Sequence, residues 1–151
     1  MKKIAIAIIV AVAISSAAQN RSGSKPQKER FIGAWHLVSI VGPDGKLVAG
    51  SPPKGMLIYT GDRHMSVQLM YPKTASALSN EYVRDGYEAS FGSYDIDEAT
   101  HTVTHHVQGS VTRDLLVGKD LPRLYRFSPE GHLIIQSARP DEHWAVTWEH
   151  Y

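Results

Sequence analysis

The sequence predicts an all-β domain: an eight-stranded antiparallel up-and-down barrel with one short helix or lid between the third and fourth strands. Two observations carry this. Short runs rich in Val, Ile, Tyr, Trp and Thr recur between turn signals. Most of those runs alternate, with one apolar side and one wetter side. Eight strands joined in sequence leave two open edges unless the sheet closes on itself. Closure at about eight strands leaves an interior that is packed or holds one small ligand. A two-sheet sandwich satisfies the same periodicity.

Ahead of the strands, Lys2 and Lys3 precede an unbroken run of Ile, Ala and Val from Ile4 to Ile14. Ser15, Ser16, Ala17 and Ala18 then supply small residues for a signal peptidase, so residues 1–18 read as a signal peptide. The apolar run falls well short of the roughly 20 residues a spanning helix needs, so no stable membrane insertion is expected. The expected address is export, periplasmic or secreted, with a bacterial style of signal. The chain has no cysteine, which excludes a lipid-bearing cysteine and any disulfide framework. Cleavage would remove two of the 16 basic residues and none of the 15 acidic ones, turning a formal charge of +1 into −1. Such balance argues against a nucleic-acid partner. Residues 19–30 are polar and read as a disordered leader, and residues 31–151 as one barrel domain.

Within the domain, Ile32–Val41 forms the first strand and ends at Gly42-Pro43-Asp44-Gly45. Met56–Thr60 and His64–Tyr71 make a hairpin across Gly61-Asp62-Arg63. Ala75–Ala89 has helix-compatible spacing, with Ser79 as a candidate cap. Phe91–Ile96 and Thr102–Val111 flank Asp97-Glu98-Ala99-Thr100, and Leu121–Phe127 and His132–Ser137 flank Ser128-Pro129-Glu130-Gly131. Trp144–His150 closes the set. Alternation groups Trp35, Leu37, Ser39 and Val41 on one face; Met65, Val67, Leu69 and Tyr71 on another; and Val103, His105 and Val107 on a third.

Ordered motifs run through the domain: Gly33-Ala34-Trp35-His36-Leu37-Val38-Ser39, Gly55-Met56-Leu57-Ile58-Tyr59-Thr60, Met65-Ser66-Val67-Gln68-Leu69-Met70, Phe91-Gly92-Ser93-Tyr94-Asp95-Ile96-Asp97, Thr102-Val103-Thr104-His105-His106-Val107, Arg123 and Thr147-Trp148-Glu149. They resemble those of the lipocalin-like domain family of bacteria and fungi. The resemblance implies a calycin-type barrel with a central cavity. Gly33 then passes beneath the barrel floor, Trp35 plugs it, and Trp148 is a further structural residue. Members often end in Trp-Glu-Arg, whereas here His150 stands where the arginine would stack over the floor tryptophan.

Eight histidines invite a metal, but His105 and His106 are adjacent in a strand and point to opposite faces, and no ligand-spaced motif is present. No metal and no cofactor is expected. His105 shares a face with Val103 and Val107. It reads either as a satisfied core histidine, bonded to Tyr94 or Tyr125, or as a ligand anchor or general base. Arg123 alternates with Tyr125 and Phe127, so it is either a rim salt bridge or an anchor for a ligand anion. Tyr59, Tyr71, Tyr94 and Tyr125 are amphipathic wall candidates. The expected site is a cavity where His105, Arg123 and Tyr125 converge, lined by Val67, Leu69, Val103, Val107 and Tyr94. No nucleophile elbow or phosphate-cradling loop occurs. The expected function is an exported binder of a small apolar or amphipathic molecule. The alternatives are a cofactor-free isomerase or cyclase with His105 as base, and a packed structural barrel.

Overall fold

The computed structural model describes residues 26–49, 52–72 and 79–151. The expected signal segment, the leader up to residue 25 and the first part of the expected helix lie outside these residues. Eight strands form: β1 (Gly33–Val41), β2 (Lys54–Tyr59), β3 (His64–Met70), β4 (Tyr87–Asp97), β5 (Thr102–Ser110), β6 (Asp120–Phe127), β7 (Leu133–Ser137) and β8 (Ala145–His150). Each pairs antiparallel with the next, and β8 returns to β1, so the barrel is closed and no edge remains. A sandwich is thereby excluded. Among the described residues no helix is long and apolar enough to cross a membrane.

Three local expectations change. Residues 79–86 form turns rather than a helix between β3 and β4. The Asn80 side chain accepts the Tyr82 and Val83 amides, each at 2.8 Å, and the Ser79 hydroxyl accepts the Asp85 amide. Side chains that capture backbone amides locally stabilise turns at the expense of helix. Tyr87 to Ala89 already belong to β4. Second, the disordered leader cannot extend to residue 30, because Gln27–Phe31 form a helix, α1. Third, a bulge between Leu37 and Ser39 inserts one extra residue in β1 against β8, so Ile40 rather than Ser39 turns inward.

Helix α1 closes one end of the barrel. Phe31 is fully buried and meets the rings of Tyr59, Tyr125 and Phe127 edge-on, with centroids 4.8–5.4 Å apart. The Trp35 indole N–H donates to the Phe31 carbonyl at 2.8 Å. The His150 ring lies over Trp35 with centroids 3.7 Å apart, in the place where the family's arginine is expected. Gly33 has φ +141°, and a Cβ there would strike the His150 ring, so only glycine admits this packing. Among the described residues the opposite end is open, bounded by described parts of the β1–β2, β3–β4 and β7–β8 connections.

Candidate functional site

Alternation in each strand sends a row of side chains inward, but depth along the barrel axis decides what each one meets. Near the floor, Tyr59, Tyr94, Val103 and Tyr125 pack into the closed core. Toward the mouth the rows separate around a cavity of about 260 Å³. Its wall is mainly apolar, with Val67, Leu69, Trp144, Val146 and Trp148 among its residues. Among the groups with polar chemistry that reach it are Tyr71, Glu88, His105 and Arg123, with Ser79, Asn80 and Tyr82 at the mouth. The volume lies just under the ~300 Å³ lower end for drug-sized ligands, so the guest it fits is small.

Arg123 projects from β6 and is only 7% exposed. Its guanidinium carbon lies 5.1 Å from the Tyr82 ring centroid and 5.3 Å from that of Trp144, two aromatic faces that attract a cation. Among the described residues no carboxylate lies within ion-pair distance of it. Its charge is nevertheless felt across the cavity, because it acts on Tyr59, Tyr71, Tyr82, Glu88 and His105 alike.

The two aromatic faces are held from outside. Glu142 accepts from the Trp144 indole N–H at 2.9 Å and from Ser137 at 2.7 Å. Arg139 bridges Glu142 and Glu81, at 2.7 and 2.6 Å, tying the β7–β8 connection to the segment that carries Tyr82. From the other side, Arg113 donates through Nε to the Asn80 carbonyl at 2.7 Å.

His105 is 5% exposed, and its Nε2 lies 2.6 Å from the Tyr59 hydroxyl. Burial pushes the imidazole well below its ordinary value, and Arg123 and His106 add to this, so the ring is neutral. Burial likewise pushes the Tyr59 phenol far up, so it keeps its proton. That O–H has no other acceptor among the described residues, so its bond is satisfied when Tyr59 donates to Nε2. Nδ1 then carries the ring proton. In that tautomer His105 offers a donor to a guest and not a base.

Glu88, at the start of β4, is partly buried and lines the cavity. Burial pushes it up to about 7, against the opposing pull of Arg123. Tyr71 is pushed up by burial and then by Glu88, and stays a neutral phenol. The expected residues therefore divide. His105, Arg123, Tyr71, Val67 and Leu69 share the cavity. Tyr59 sits behind His105. Tyr94 donates instead to the Thr60 carbonyl at 2.9 Å, and Tyr125 to the Gln27 side chain at 2.9 Å. Val103 is in the floor core, and Val107 is buried outside the cavity lining. The expected convergence of Tyr125 with His105 and Arg123 does not occur, because Tyr125 lies two residues nearer the closed end. The core partner expected for His105, Tyr94 or Tyr125, is instead Tyr59. Glu88, Tyr82 and Trp144 are site residues that sequence reading did not single out. The alternation Glu88, Ser90, Gly92, Tyr94 carried the signal for Glu88.

Among the described residues no group of three His, Asp or Glu side chains is placed to hold a metal ion. No curated protein matches the chain. The model of the lipocalin-like domain family matches residues 32–150. With a closed eight-stranded up-and-down barrel over the same residues, the chain belongs to the lipocalin-like domain family.

Proposed function

We propose that this protein binds one small, largely apolar molecule in the mouth-side cavity, with a polar group of that molecule anchored by Arg123 and His105. The observation that carries this reading is a buried cation on an apolar cavity wall with no ion-pair partner among the described residues. Burying a charge without a partner is costly, and a purely structural barrel has no use for it. We read the protein as exported, on the signal-like segment 1–18. Native mass spectrometry of protein purified from its own host, followed by extraction, tests the binding reading. The expected result is a bound small molecule displaced on denaturation. Bare protein that also takes up no apolar probe would remove it.

A cofactor-free isomerase or cyclase is the second reading, and Glu88 favours it. A carboxyl that titrates near 7 in an apolar cavity suits general acid–base work, whereas His105 has its lone pair engaged by Tyr59. Turnover that disappears in Glu88→Gln and survives in His105→Asn would decide for it.

A further inference from the structure

Arg123 and Glu88 face one cavity from different walls, one a cation and the other an acid whose proton is loosely held at neutral pH. Resting on the binding reading above, we propose that this pair makes the site selective for small apolar monocarboxylates, with Glu88 taking up a proton, wherever it is ionised, when a carboxylate binds. Ionised Glu88 is the counter-charge that the enclosed guanidinium otherwise lacks in the described cavity. A guest carboxylate on Arg123 brings a second negative charge into the same apolar space, where like charges repel strongly. Protonating Glu88 relieves that repulsion and leaves one cation, one anion and one neutral acid. Charge and protons balance, and the proton comes from solvent.

The neighbouring groups do not take over this role. Tyr71 follows β3 and is a neutral phenol through the physiological range. His105, from β5, is neutral, and Tyr82, in the β3–β4 connection, is pushed up to about 12. Arg123, from β6, is the guanidinium that Glu88 faces across the cavity. Of the described groups lining this cavity that titrate, Glu88 alone changes charge between pH 6 and 8. The donor set agrees with an anionic head: Arg123 only donates, and so does His105 Nδ1–H in the tautomer that Tyr59 selects. The apolar remainder of the wall suits an aliphatic or aromatic tail.

Octanoate and octanol are matched probes, since octanoate stays ionised and octanol neutral from pH 6 to 8. Binding is read by calorimetry and by the fluorescence of Trp144 beside the guanidinium. Octanoate should bind about tenfold more tightly at pH 6 than at pH 8, the change in protonated fraction of a group titrating near 7. Calorimetry in two buffers of different ionisation heat should show proton uptake at pH 8. In Glu88→Gln the affinity should be flat with pH and as high at pH 8 as the unmodified protein's at pH 6. Octanol should show no pH step. An octanoate affinity equal at both pH values, or a step that persists in Glu88→Gln, overturns the proposal. Octanol bound and octanoate rejected at both pH values overturns it while leaving the binding reading intact. Uptake of neither probe overturns both.

Discussion

The Tyr59 hydroxyl meets His105 Nε2 at 2.6 Å inside the barrel, between the closed floor and the open cavity. Each residue determines what the other can do. Among the described residues the phenol has its acceptor in the imidazole, and the imidazole has its tautomer set by the phenol. Tyr59→Phe should therefore strand Nε2 and lower stability by roughly 1–3 kcal/mol, measured by urea unfolding. A loss below about 0.5 kcal/mol would show that the pair adds nothing to the fold.

The floor depends on Trp35, Gly33 and His150 together. Trp35→Ala should cost about 3–5 kcal/mol, the usual range for a large buried aromatic. Gly33→Ala should also destabilise, because a methyl group would strike the His150 ring at a φ of +141°. Combining it with His150→Ala should recover part of that loss. A Trp35→Ala loss under about 1 kcal/mol would remove Trp35 from the core.

Glu88 links stability to pH. Its folded value of about 7 stands above its ordinary value of 4.5, so the folded protein holds the proton more tightly than the unfolded chain does. That stabilisation is fully present below about pH 4.5 and is lost as pH rises through about 7. Between pH 5 and 8 the protein should lose roughly 1–3 kcal/mol that Glu88→Gln does not lose. Parallel pH–stability curves for the two proteins would show that Glu88 is solvated like a surface acid.

Strand periodicity made the faces legible and left the depths hidden. His105 and Arg123 fall on inward faces by simple alternation, and both reach the cavity. Tyr125 has the same face as Arg123, yet its height on β6 puts it against Phe31 and α1. Depth depends on barrel stagger, which arises from all eight registers together and not from any one strand. Glu88 was obscured because Ala75–Ala89 has helix-compatible spacing, while Asn80 and Ser79 divert the local amides into turns. Ser39 does not follow Trp35 and Leu37 inward because a one-residue bulge reverses the alternation after Leu37.

On the outer wall, His106 lies between Asp120, at 2.6 Å, and Asp95, at 3.1 Å, and Arg63 also pairs with Asp95. The bond to Asp120 holds the imidazole above its ordinary 6.5, opposed by slight burial and helped by Asp95. A raised folded value places this stabilisation fully below pH 6.5 and removes it as pH rises through the folded value. The side chain is about one-third exposed, so solvent screening limits the effect to less than about 1 kcal/mol. His106→Gln should flatten the corresponding part of the pH–stability curve in a Glu88→Gln background. An unchanged curve would show that the bridge contributes nothing.

Arg123 separates ligand binding from folding. A buried guanidinium loses hydration that two aromatic faces recover only in part, and no described carboxylate stands at ion-pair distance from it. Methionine is unbranched and flexible, packs well against aromatic rings such as those of Tyr82 and Trp144, and carries no charge to desolvate. Arg123→Met should therefore leave stability unchanged or raise it by about 1–3 kcal/mol, as replacement of buried charges by apolar side chains often does. The same variant should lose octanoate binding at pH 6 and keep binding octanol. Glu88 should also respond, because the cation that holds its value down is gone, so its titration should move above 7. A residue kept for the fold would behave oppositely: Arg123→Met would lose 3 kcal/mol or more and disturb both probes together.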